Sequence, residues 1–218
     1  MRRTDCYLKS LCLLLFAFIL VACSSGGDGG SPNPNTSPPG NTPTPDPEIL
    51  TGVFVDSPVS GASYSTETHS GMTTSAGEYN YVTGEPVTFS IGGIVLGTAL
   101  AGPVVTPLML VDGAVDATDS RVTNIVRLLM TLDSDGNPEN GIEISIDAHN
   151  AATGMSLDFT SATFDADVQT LVEAVKGTGT QLVDAGSAQD HFNTSLKTSW
   201  GTMTWGTDCW GQVCQQTN

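Results

Sequence analysis

The sequence predicts an α+β fold: an antiparallel, sandwich-like β-rich half followed by a helical half, both carried behind a disordered linker. Three observations predict it. Between residue 51 and about residue 100, apolar residues recur at every second position. Val87-Thr88-Phe89-Ser90-Ile91 is the clearest case, with the period of a half-buried strand. From about Asp116 the period lengthens, and Val122, Ile125, Val126, Leu129 and Leu132 fall on one helical face. Residues 24–48 contain no large apolar side chain, so they cannot bury a core.

The elements follow in chain order. Arg2, Arg3 and Lys9 precede the apolar run LCLLLFAFILVA, residues 11–22. That run is too short to span a bilayer comfortably, and residues 1–22 read as a signal peptide. It ends in Leu20-Val21-Ala22-Cys23, which resembles the lipobox of bacterial lipoproteins. The resemblance implies cleavage before Cys23 and lipidation of its thiol. With Ser24 rather than Asp following the cysteine, it also implies sorting to the cell outer membrane. Acyl chains contribute about 0.8 kcal/mol per buried CH2, so several chains on one cysteine anchor stably. Residues 23–48 then form the lipidated spacer. Its first part is made flexible by Gly and Ser, and its second part is stiffened by seven prolines.

Charge narrows the choice of partners. The 218-residue chain carries 7 basic and 23 acidic residues, a net charge of -16. Loss of the leader removes Arg2, Arg3, Lys9 and only one acid, Asp5, which leaves the remainder more acidic still. Such a surface repels nucleic acid and anionic headgroups and attracts divalent cations. Of the five cysteines, Cys6 and Cys12 leave with the leader and Cys23 takes the lipid. Cys209 and Cys214 remain and are expected to form a disulfide in an oxidising compartment. So short a loop contributes only about 2 kcal/mol.

In the β-rich part, residues 49–115, Gly52-Val53-Phe54-Val55 opens a strand and Glu78-Tyr79-Asn80-Tyr81 puts both tyrosines on one face. Gly71, Ala76-Gly77, Gly84 and Gly92-Gly93 supply turns. The strings GVFVDSPVSGASYST and TTSAGEYNYVTGEPVTF resemble the small β-sandwich modules related to carboxypeptidase regulatory and transthyretin-like domains. Gly52, Asp56, Pro58, Gly61, Ala62, Thr74, Gly77, Tyr79 and Tyr81 carry that resemblance. The wider run through SIGGIVLG, VVTPLMLV, TNIVRLLMTLDSDGNPENGI and AQDHF is similar to a segment of uncharacterised proteobacterial lipoproteins and surface proteins. It covers most of the chain after the leader. The pattern departs after Ile91, where a simple regulatory module would close. The resemblance implies scaffolding or binding rather than catalysis.

The helical part, residues 116–199, opens with a helix capped by Asp119 or Ser120. Val168, Leu171, Val172 and Val175 mark a second helix, stopped at Gly177. A third is expected from Ser187, where Ser187-x-x-Asp190 resembles a capping box and Ala188, Phe192 and Leu196 form the stripe. Residues 141–146 alternate and read as a strand.

Three stretches carry candidate chemistry. In LDSDGNPENGI, residues 132–142, Asp133, Asp135, Asn137 and Asn140 could supply oxygens to Ca2+, with Glu143 adding another. An EF-hand needs Gly and Glu where Pro138 and Ile144 stand, so the run is closer to a looser D-x-D-G-N loop. Its Asp-Gly, Asn-Pro and Asn-Gly pairs also describe a plain turn. In the tail, residues 200–218, Trp200, Trp205 and Trp210 are each followed by Gly and suit either a glycan or protein partner or a core cap. His69, His149 and His191 show no metal spacing, and His191 sits beside the apolar stripe of the third helix. The motifs G-x-S-x-G, H-E-x-x-H, S-x-x-K and G-x-x-x-x-G-K are absent from the sequence. The sequence therefore predicts a lipid-anchored envelope protein with an adhesive, scaffolding or ligand-binding role. An accessory subunit of a transport or secretion system, recruited through the tail, is the alternative. A hydrolase with an unfamiliar site ranks behind both.

Overall fold

A computed structural model describes residues 46–200, the last three by backbone alone. The architecture is α+β, with mostly antiparallel sheets and four helices. Strict alternation builds the first sheets. In β1 (Ile49–Phe54) Gly52 and Phe54 are buried, in β5 (Glu78–Val82) Tyr79 and Tyr81, and in β6 (Pro86–Ile91) Val87, Phe89 and Ile91. One sheet has the order β5-β1-β8, with β8 at Val104–Val105. The other runs β4-β3-β6-β7, with β3 at Ser63–Ser65, β4 at Ser70–Met72 and β7 at Ile94–Leu100. Their apolar faces meet through aromatic rings. Phe54 stacks on Phe89 with centroids 4.2 Å apart, and Tyr79 meets the same ring edge-on at 5.3 Å.

Two pairings depart from the antiparallel expectation. β1 pairs with β8 in parallel, Val53 opposite Val104. β2 (Val59–Ser60) pairs in parallel with β9 (Ile142–Glu143), Val59 opposite Ile142. Parallel neighbours require a long crossover. Here those crossovers are most of the β-rich half for the first pair, and that half's remainder plus α1 (Ser120–Leu132) for the second. The departure noted after Ile91 belongs to the first crossover.

Helix α1 begins where Asp119 caps it, the carboxylate accepting from the Arg121 N–H. It is buried on nearly every side, so even Arg127 lies inside. Arg127 donates to both Asp165 oxygens at 2.7 and 2.9 Å, to the Val183 carbonyl at 2.6 Å and to Asn124 Oδ1 at 3.0 Å. One guanidinium thus ties α1 to α3 (Phe164–Lys176) and to the segment after it. The expected stop of α3 is met by Gly177, at φ 102°.

Two helical expectations need correction. The strand read over residues 141–146 stops at β9, and α2 (Ile146–Ala151) starts at once. Ser145 caps it by accepting from the Ala148 N–H, so the last isoleucine of the alternating run begins a helix and is exposed. The last helix, α4 (Ala185–Trp200), starts ahead of Ser187. Asp184 is its cap, accepting from the Ser187 N–H at 2.9 Å, and the Ser187 hydroxyl donates back to Asp184 at 2.7 Å. The expected box around Ser187 and Asp190 is thereby displaced by a closer acid.

A single apolar core runs from Phe54, Tyr79 and Phe89 through Ile125, Leu128 and Leu129 to Leu171, Val172 and Phe192. The β-rich and helical halves therefore share one interior. Each such fully buried side chain contributes roughly 1.5–3 kcal/mol. No described helix is long and apolar enough to cross a membrane.

Tyr79 closes one end of that core. Its hydroxyl donates to the Gly102 carbonyl at 2.7 Å and accepts from the Gly102 N–H at 3.1 Å. Burial raises its pKa to about 12, despite the Gly102 bond. Gly52 is required beneath it, because a Cβ there would lie 2.2 Å from the Gly102 oxygen and 2.7 Å from the Tyr79 ring. Removing the hydroxyl in Tyr79→Phe strands both Gly102 groups. Denaturant unfolding is expected to show a loss of about 1–3 kcal/mol with an unchanged slope.

Candidate functional site

Polar groups concentrate where the loops of the helical half meet the β-rich half. The best-defined link is His149, on α2. Its Nδ1 accepts from the Gly92 N–H at 2.9 Å, so Nε2 carries the hydrogen and donates to the Gly61 carbonyl at 2.7 Å. Both bonds land on turn glycines of the β-rich half. A Cβ at Gly61 would sit 2.2 Å from the Ile144 oxygen, and one at Gly92 2.5 Å from the His149 oxygen. His149 therefore acts as a clamp. His69 lies in its turn with Nδ1 2.6 Å from the Thr68 hydroxyl.

The acidic loop follows from the end of α1. Asp133 continues the helix's hydrogen bonding through its N–H to Leu129 and bridges to Ile144. This fixes its side chain inward, at 1% exposure. Oδ1 accepts from the Glu143 N–H at 2.9 Å, while Oδ2 is buried with no hydrogen-bond donor to it. Asp135 accepts from the Asn137 N–H at 2.8 Å and the Asn140 side-chain amide at 2.9 Å. The two carboxyls act on each other electrostatically. Burial, and then the charge of Asp135, hold Asp133 above the ordinary carboxylate range, with the Glu143 N–H pulling the other way. The Asn140 and Asn137 donors hold Asp135 below it. Lys176 brings its ammonium to the Asp133 and Ser134 carbonyls.

The structure thus brings Asp133 and Asp135 together. Asn137 faces Asp135 with its backbone N–H, and Asn140 turns its amide nitrogen to the same carboxylate. Glu143 contributes its backbone, its side chain being exposed. Among the described residues, no three His, Cys, Asp or Glu side chains converge on one point that could hold a metal. Any cation here would rest on the two aspartates and on amide or carbonyl oxygens.

A second polar cluster was not singled out in the sequence. Asp56, in the turn between β1 and β2, is fully buried, and neither carboxylate oxygen has a hydrogen-bond partner. His191 of α4 places Nε2 3.6 Å from Asp56 Oδ1 and Nδ1 3.6 Å from Glu139 Oε1. Ser195, one turn along α4, puts its hydroxyl 3.5 Å from Nε2. Ser195 and Glu139 face opposite nitrogens of the ring, the order found in a nucleophilic triad. The nitrogen that would accept the serine proton also faces the buried Asp56, and its 3.5 Å separation from the hydroxyl is at the outer limit of a hydrogen bond. The alternation of β1 was the available signal, since Gly52, Phe54 and Asp56 fall on one inward face.

A groove of about 290 Å3 between β7, α1 and residues 157–160 is floored by Leu96, Leu110, Ile125 and Phe159. That is the small end of the range for ligand pockets. The remaining expected sites, Cys23, Cys209, Cys214, Trp205 and Trp210, lie outside the described residues, as does the side chain of Trp200.

The ammonium of Lys176 is the cation the acidic loop already possesses. Lys176→Met is expected to lower the melting temperature, with a loss of about 1–2 kcal/mol for two charge-assisted bonds at a partly exposed site. Thermal unfolding in metal-free buffer measures it, with Lys176→Arg expected to recover most of the loss.

No protein-family model matches the chain, and neither a curated protein nor a solved structure matches it significantly.

Proposed function

We propose that this chain is a lipid-anchored protein of the bacterial cell envelope, tethered to the outer membrane through Cys23. It holds a non-catalytic module away from the bilayer for adhesion, scaffolding or ligand binding. The observation that carries the reading is the order of segments. A basic and apolar leader ends in Leu20-Val21-Ala22-Cys23, a Gly/Ser/Pro spacer follows, and the apolar, alternating sequence begins only after it. Two sheets meeting through Phe54, Tyr79 and Phe89 support a β-sandwich-like module of the carboxypeptidase-regulatory kind at its base. The strongly acidic composition suits a soluble surface and a protein or glycan partner rather than nucleic acid. Trp200, Trp205 and Trp210 are the residues offered to that partner, within a tail closed by Cys209 and Cys214.

Calcium stabilises the module at the acidic loop. Asp133 Oδ2 supplies a buried oxygen without a donor, and Asp135 supplies its neighbour. A half-turn of the Asn140 amide would present oxygen instead of nitrogen, and Asn137 completes the polar wall. The mutual repulsion of two carboxylates is relieved by a cation between them.

Two experiments test the reading. Cells fed a labelled fatty acid should incorporate it into the wild-type protein and not into Cys23→Ser, and the variant should leave the outer-membrane fraction. Label on the variant, or inner-membrane residence of the wild type, overturns the anchor. For the loop, the full chain in detergent is melted in EDTA and then in calcium or magnesium. Calcium at a hundred times its dissociation constant should stabilise by about 2.7 kcal/mol. The shift should vanish in Asp133→Asn/Asp135→Asn. An equal shift in that variant would remove calcium from the loop.

A further inference from the structure

The Asp56 carboxyl is the least satisfied polar group described in the fold. It is fully buried, and no N–H or O–H donates to either oxygen. A bare carboxylate cannot persist in such a place without a proton or a counter-charge. The groups facing it are few. From α4 come the His191 imidazole, 3.6 Å away and itself buried, and Ser195 behind it. From the 3-10 turn Pro138–Asn140 comes Glu139, whose carboxylate is largely exposed and faces the far nitrogen of His191. The two arginines of α1 are committed elsewhere, Arg121 to Asp119 and Arg127 to Asp165.

We propose that Asp56 and His191 share one proton, and that this proton latches α4 onto the β1–β2 turn. It can sit on Asp56, leaving both groups neutral, or on His191, giving a carboxylate facing an imidazolium. Both placements bind one proton, and both remove the uncompensated charge. Loss of that proton leaves a naked carboxylate beside a neutral ring in the core, and the contact between the turn and α4 becomes unfavourable. Helix α4 is the last described element and leads directly into the tryptophan-bearing tail, so the proton governs the element from which that tail departs.

The direction of the pH effect is fixed by Asp56. Burial holds its carboxyl well above the ordinary range. In the unfolded chain it releases its proton near pH 3.9, whereas in the fold the proton is retained to higher pH. The latch is therefore complete below about pH 4 and is lost as the pH rises through the folded value. The carboxyls of Asp119 and Asp165 behave oppositely. Hydrogen bonds from Arg121 and Arg127 hold them low, and their stabilisation fades only as the pH falls into the acid range. A scan from about pH 5 to pH 9 isolates the latch from them.

The experiment is a set of thermal melts of the full chain in detergent across that range. The wild-type melting temperature is expected to fall as the pH rises. Asp56→Asn keeps the shape and removes the charge, so its curve should be flatter and cross above the wild type at the alkaline end. His191→Gln removes the second home for the proton, so the decline should begin at lower pH. Parallel curves for wild type and Asp56→Asn overturn the proposal, as does a decline that His191→Gln leaves unmoved. Calorimetric unfolding stepped from about pH 5 to pH 9, in two buffers of different ionisation enthalpy, counts the protons released. Release by the wild type at some step that Asp56→Asn lacks supports the latch, and release of none by the wild type at every step overturns it.

Discussion

The imidazole of His149 is the interaction on which the arrangement of the two halves depends. One ring nitrogen accepts from the turn after β6 and the other donates to the turn after β2, so a single side chain from α2 fixes two distant turns. Those turns must approach closely enough that only glycine fits at Gly61 and Gly92. Once they are fixed, β2 lies where β9 can pair with it, and the β6–β7 hairpin rests against the end of α2. The shared core then follows, since the faces of both sheets and of α1 have no other place to bury.

The charged groups inside this interior divide into two kinds. Arg127 is satisfied by carboxylate, carbonyl and amide oxygens together, the condition under which a buried charge is tolerated. Asp56 and the Oδ2 of Asp133 are not satisfied. Both sit where a loop of the helical half crosses the β-rich half. Residues that break the rule of paired burial commonly mark places where something besides stability is being set. We propose different ions for the two, a proton at one and a divalent cation at the other.

Much of the fold was legible in the sequence because each element advertises its own period. The alternation around Val87-Thr88-Phe89 and the helical stripe from Val122 to Leu132 are local signals, and both appear in the structure. Most of what escaped was non-local, with one local exception at Ser145. Ser145 could be read as one more outward residue of a strand, and only its bond to the Ala148 N–H makes it a cap. The pairing of β1 with β8 has no signature in either strand. The acidic loop was visible through its composition, yet its chemistry depends on Asp133 being buried by Ile144 and on Lys176 arriving from α3. Asp56 was read only as one of the residues that carry the resemblance to the β-sandwich modules; its neighbour His191 comes from the far end of the described chain.

The parallel pairs bear on how the molecule is made. Val53 must wait for Val104, and Val59 for Ile142, before either parallel pair can form. Such separations raise the contact order and slow folding, because the entropy of closing long loops is lost before the contacts repay it. A chain threaded through a membrane from its N-terminus would present β1 and β2 first and leave them without those mates until the helical half had followed. For a chain exported as we propose, such a topology would delay closure and keep the polypeptide in the extended state that a translocation channel accepts. It also means that residues 49–115 are not a unit to be excised, since β2 takes its partner β9 from beyond them.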